Sequence, residues 1–172
     1  MRNFVLAIDP GTTLSGLCLV ERATFKPLWS DKVENSQIRG RVVREIGERG
    51  ISGTELEVVI ERMQGNSMPV SSDVFLTCEW IGRFDVYMRE ITGYTCFYVF
   101  RRDEYKALCS NVYTHNDKGV RNALVERFAY GQPNFGKGTK AAPGWFYGFA
   151  ADAWSAYAIA VTFLDLTRGA LT

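Results

Sequence analysis

Two apolar runs open the chain, Phe4 to Ile8 and Leu17 to Val20, with Asp9-Pro10-Gly11 between them. The spacing predicts a β-hairpin that carries Asp9 at its mouth. Pro10 removes a backbone donor from the turn, Gly11 permits a positive φ, and Gly16 permits a close backbone approach. Lys26 to Val33 reads as a third strand completing a meander, at an edge because Pro27 would cost a central strand a ladder bond. Between Gln37 and Arg49, Ile38, Val42, Val43 and Ile46 recur at helical intervals, and Gly50 stands as the stop. Val58, Val59 and Ile60 then form a buried strand that ends on Glu61, followed by polar and glycine residues that cannot extend it.

Val74, Phe75, Cys78, Ile81, Phe84, Tyr87 and Met88 set a helical period from Ser71 to Ile91, with Ser71 or Ser72 as N-cap. Thr95 to Phe100 is a further buried strand, and a helix from Asp103 to Cys109 follows at once, as in a βα unit. Asp117 reads as the N-cap of a helix running to Ala129. Tyr130 to Gly148 is a flexible loop of glycine, proline and aromatic residues, including Phe135, Trp145, Phe146 and Tyr147. The last element is a helix from Ala150 to Leu164, whose small residues let it press close to the sheet, with Asp152 in its first turn.

Composition narrows the class. With 172 residues and 47% hydrophobic content, the chain is read as one domain spanning 1–172. No apolar stretch has the length a bilayer needs and no leader opens the chain, so a soluble, unprocessed protein is expected. Cys18, Cys78, Cys96 and Cys109 are scattered and form no Cys-x-x-Cys pair, which argues against zinc and disulfides and fits a reducing cytoplasm. The single histidine, His115, lies in a polar loop and takes no role. Net charge is only +1, yet Asp117 to Lys140 holds five basic residues against two acidic ones, a local +3 that suits a phosphate backbone.

Singly, Asp9 is explained as a turn cap, Glu61 as a solvent-facing residue at a strand terminus and Asp152 as a helix cap. Together they are three isolated carboxylates at the ends of apolar elements, and acids that converge repel one another unless a hard cation sits between them. Oxygen-only ligation selects magnesium or manganese.

Ile8-Asp9-Pro10-Gly11 with Ser15-Gly16, Val59-Ile60-Glu61 with its polar loop and long helix, and Asp152-Ala153 opening an alanine-rich last helix resemble the RuvC family of Holliday-junction resolvases, bacteriophage-type members included. The resemblance covers nearly the whole chain in order. It implies a ribonuclease H-like α/β fold, a mixed five-stranded sheet flanked by helices. It further implies a homodimer that nicks opposed strands of a four-way DNA junction. Metal ligands would be Asp9, Glu61 and Asp152, with two Mg²⁺ (or Mn²⁺) ions per site, Asp9 bridging them, Glu61 on one and Asp152 on the other. Members usually carry two acidic or histidine residues three apart at the start of the last helix. Here either Ser155 or Phe149 stands where the partner of Asp152 would be.

On this reading Lys118, Lys137 and Lys140 neutralise phosphates, joined by Arg102 and Arg121, while Gln64 and Asn66 enter the junction from the loop after Glu61. Trp80 and Tyr87, seven residues apart on the long helix, are the expected partner-facing pair. Two other readings remain open. One is a non-catalytic branched-DNA-binding module of the same fold. The other is an actin-like or sugar-kinase ATP-binding fragment, for which Asp9-Pro10-Gly11-Thr12-Thr13 speaks and the missing second half speaks against; no nucleotide cofactor and no membrane partner are expected.

Overall fold

The computed structural model describes residues 2–64, 71–109 and 114–169. Its strands are β1 (Phe4–Asp9), β2 (Leu14–Glu21), β3 (Pro27–Glu34), β4 (Leu56–Arg62) and β5 (Phe97–Phe100). The helices are α1 (Ile38–Glu48), α2 (Ser72–Thr92), α3 (Arg101–Glu104), α4 (Asp117–Ala129) and α5 (Ala151–Gly169), and α3 runs on into a π turn, Tyr105–Cys109. The strands make one mixed sheet in the order β3-β2-β1-β4-β5, antiparallel across the β1–β2–β3 meander and parallel from β1 through β4 to β5. This is the ribonuclease H-like arrangement.

Strand alternation divides the core in two. Val5, Ala7, Cys18, Val20, Val59 and Val99 face α4 and α5, while Leu6, Ile8, Leu17, Leu19, Val58 and Ile60 face α1 and α2. Helix α5 lies flat against its face because Ala153, Ala156, Ala158 and Ala160 bring its backbone in close. Gly16 marks the contact, since a Cβ there would fall 2.7 Å from the Asp152 carbonyl oxygen.

Several expectations change. Gly11 needs space rather than a positive φ, because a Cβ on it would run into the Leu14 carbonyl. Strand β5 is an edge strand with Phe97 and Tyr98 exposed, so its apolar composition does not mean burial on both faces. The helix after β5 starts at Arg101 and widens to a π turn at Tyr105, a break typical of functional segments. Asn116, not Asp117, caps α4, its side chain accepting from the Gly119 amide at 2.9 Å. Nor are the aromatics between α4 and α5 a common exposed set. Phe146 is fully buried and Trp145 stacks on Phe128 and donates to the Tyr157 hydroxyl at 3.1 Å, while Phe135 and Tyr147 stay exposed. The Gly138–Pro143 bridge further pins this segment.

Candidate active site

Strand register and parity bring the first two acids together. Ile8 stands level with Ile60 across the parallel β1–β4 pair, so Asp9 and Glu61, one residue on, end adjoining strands. Asp9 follows Val5 and Ala7 in alternation, and Glu61 follows Val59, so both turn toward the α5 face. The turn after Asp9 is braced by a buried polar relay. The Gly11 amide donates to Ser15 Oγ at 3.2 Å, Ser15 Oγ donates to Asn35 Oδ1 at 2.7 Å, and Asn35 Nδ2 donates to the Gly11 carbonyl at 2.9 Å. This relay explains the Ser15-Gly16 pair: Ser15 fixes the turn and Gly16 admits α5.

A fourth acid, which reading the sequence did not single out, stands behind them. Val99 pairs with Glu61, and α3 begins two residues later, so Glu104 is carried to the same end of the sheet with no exposed surface. One of its oxygens accepts from Arg101 Nη1 at 3.1 Å and the other has no partner among the described residues. Burial raises the Asp9 carboxyl to about 8, helped by the charge of Glu61 and a hydrogen bond with it. Burial likewise pushes Glu104 up to about 9, with the charge of Glu61 adding to it. Arg101 faces all three; burial works against its charge, but Glu104, a Tyr105 hydrogen bond, Glu61 and Asp117 hold it protonated. One guanidinium does not balance three carboxylates. Carboxyls that retain their protons so far above their usual range mark a place that gains from a hard cation.

Asp152 lies on the other side of Asp9. Lys32 is level with Gly16 on β3, and Gly16 is level with Asp9, so Lys32, Gly16, Asp9 and Glu61 form one row across the sheet with Asp152 lying over Gly16. Within this arrangement Asp152 Oδ2 meets the Lys32 ammonium at 2.5 Å. Phe149 is buried against Phe146, Trp154 and Tyr157, and the side chain available beyond Asp152 is the neutral Ser155. Among the described residues, no three His, Cys, Asp or Glu side chains stand as a group able to hold a metal ion. Two carboxylates, Asp9 and Glu61, are the side chains that could hold a hard cation here, with Asp152, paired to Lys32, close enough for its charge to add to the rise at Asp9.

The basic residues named from sequence fall into separate places. Lys118 and Arg121 share a cleft with Arg101, Asp117, Asp152 and Ser155, next to the acids. Gln64 and Arg102 line a second cleft with Glu61, Arg101 and Tyr105. Lys137 and Lys140 lie in the segment before α5 and line neither cleft, although Phe135 of that segment sits 4.8 Å beneath the Arg121 guanidinium. Asn66 lies outside the described residues. On α2, Trp80 and Tyr87 are half-buried against the chain's own core, and the exposed apolar residues are Phe75, Leu76 and Val86.

A mixed five-stranded sheet flanked by helices, in the order β3-β2-β1-β4-β5, is the ribonuclease H-like fold. Among solved structures, the chain is similar to T. thermophilus RuvC in complex with Holliday junction substrate, with 16% identity over 97% of this chain and 96% of that chain and a TM-score of 0.67. It is also similar to the Thermus thermophilus RuvC structure, at 18% identity over 96% of each chain and a TM-score of 0.64. The fold is therefore RuvC-like over nearly its full length. No family model and no curated protein matches the sequence. Among the described residues, no helix is long and apolar enough to cross a membrane.

Proposed function

We propose that this chain is a metal-dependent endonuclease that cleaves branched DNA, with the four-way junction as its substrate and the phosphodiester bond as its target. The observation that carries this reading is the pairing of Asp9 and Glu61 at the ends of adjoining parallel strands, in a fold shared with a resolvase along nearly its whole length. Asp9 and Glu61 are the residues that would hold the ion. Bound there, magnesium or manganese supplies a water polarised enough to attack at neutral pH and stabilises charge on the phosphoryl oxygens.

The protein's own groups do the rest. The Ser15–Asn35 relay holds the Asp9 carboxylate at the strand end, and Arg101, clamped between Glu104 and Asp117, keeps the acid cluster from flying apart when its protons leave. Lys118 and Arg121 line the cleft beside Asp152, where they meet the DNA backbone, and Gln64 reaches from beside Glu61 toward the sugars and bases. A junction offers two equivalent scissile strands, so a chain with one acid set works as an isologous pair. The exposed Phe75, Leu76 and Val86 of α2 are the contact expected for that pair.

Incubation of the protein and Mg²⁺ with a synthetic four-way junction and with a linear duplex of the same sequence tests the proposal. Paired nicks confined to the junction are expected; equal nicking of the duplex, or binding of the junction with no nick in any divalent cation, would overturn it.

A further inference from the structure

This inference deepens the nuclease reading above and rests on it. The two ends of the acid row are built differently. At the Asp9–Glu61 end the neighbouring cation is Arg101, which is already committed to Glu104 and Asp117. At the Asp152 end an ammonium is already in place, carried on a strand in register with Gly16 and Asp9, its Nζ 2.5 Å from Asp152 Oδ2. Independently of that contact, a second ion there would have a poorer ligand set, since Phe149 is sealed in an aromatic cluster, Ser155 brings no charge, and Asp152 is the one carboxylate the last helix supplies at this end.

We propose that the site takes a single divalent ion, at Asp9 and Glu61, and that the Lys32 ammonium, anchored by Asp152, stands in for the second cation and meets a phosphate oxygen of the bound strand. Three physical features support the role. The side chain of Lys32 is 53% exposed, so its remaining N–H groups are open to a substrate. Its backbone belongs to the sheet rather than to a loop, so the charge is set in place before the DNA arrives and needs no reorganisation during the reaction. A compact ammonium is also the side chain that most resembles a point-like metal cation, whereas a guanidinium spreads its charge over a plane.

A merely structural ion pair is the competing explanation. An exposed pair of this kind contributes little to stability, so Lys32→Ala is expected to fold as the wild type does and its activity can be read directly. The proposal predicts that Mg²⁺-dependent nicking by Lys32→Ala falls on the order of 10²-fold, as when one preorganised donor to a developing charge is removed. Junction affinity should change less than about threefold, the loss of one phosphate contact among many, and Lys32→Arg should recover part of the rate.

The decisive readout is ion stoichiometry. Mn²⁺ is titrated into the protein bound to a junction whose crossover linkages are phosphorothioates, and bound ions are counted by electron paramagnetic resonance. One uncoupled ion per chain, lost in Asp9→Asn, is expected. Two ions per wild-type chain with an exchange-coupled spectrum, or Lys32→Ala nicking within threefold of wild type, would overturn the role of Lys32 and leave the nuclease reading standing. Absence of any Asp9-dependent ion would overturn both.

Discussion

The acid pair and the ion pair lie side by side in one row of the sheet, and they are opposite in electrostatic design. Asp9 and Glu61, with Glu104 buried behind them, gather carboxylates around a single guanidinium, and burial lets Asp9 and Glu104 hold their protons far above the usual carboxylate range. One strand pair away, Asp152 and Lys32 neutralise each other at partial exposure. The first region carries unbalanced carboxylates; the second is an ion pair. On the proposed reading the metal goes to the first region, and the contrast is what experiment should try to break.

The largest effect is expected from unequal injury to the two regions. Glu61→Gln should reduce cleavage on the order of 10³-fold, because it removes a ligand charge from the acid pair. Asp152→Asn, which keeps the shape and loses only the anchor of Lys32, should cost on the order of tenfold. Equal losses, measured as initial nicking rates on a junction, would mean that both carboxylates serve metal ions.

Next is the seam between the regions. Gly16→Ala would push a methyl group into the Asp152 backbone, and overpacking of this kind costs about 1–3 kcal/mol. Thermal unfolding should show that loss, together with reduced cleavage as α5 is displaced from the row.

A third prediction concerns pH. The folded, metal-free chain holds protons on Asp9 up to about 8 and on Glu104 up to about 9, whereas the unfolded chain releases them near 3.8 and 4.5. More protons are bound folded than unfolded across that window, so stability must fall as pH rises from about 5 to about 9. Melting temperatures in chelator should decline over this range. Saturating Mn²⁺, or Glu104→Gln without metal, should flatten the decline; a flat wild-type profile in chelator would contradict the charge imbalance.

The smallest effect separates the basic residues. Removing Lys118 and Arg121 should lower the salt dependence of junction binding by about one unit for each lost phosphate contact. Removing Lys137 and Lys140, which line neither cleft, should lower it less. An equal drop would place the DNA path over the segment before α5 as well.

The sheet and the first two acids were legible because they are written locally. Apolar runs of strand length end on Asp9 and Glu61, and a turn or a polar stretch follows each, so position along an element gives position in space. Asp152 was legible in the same way, as the acid opening an alanine-rich helix. What surrounds these acids was not legible. Glu104 sits in Arg101-Arg102-Asp103-Glu104, which reads as an exposed and well-charged helix start; its burial arises only when β5 docks beside β4 and carries α3 to the end of the sheet. Lys32 reads as an ordinary edge-strand lysine, and only the β2–β3 register puts it level with Gly16. Strand β5 misled for a related reason: its aromatic composition matches a buried strand, but an edge position leaves Phe97 and Tyr98 open. Long-range register, which no local pattern contains, decided each of these cases.

The central claim is that Asp9 and Glu61 hold a divalent ion that cleaves branched DNA. Its most direct test compares wild type with Asp9→Asn on a labelled four-way junction, with binding measured in chelator and cleavage measured after Mg²⁺ is added. The account predicts matching affinities, paired nicks by the wild type and none by Asp9→Asn; cleavage by Asp9→Asn at the wild-type rate would contradict it.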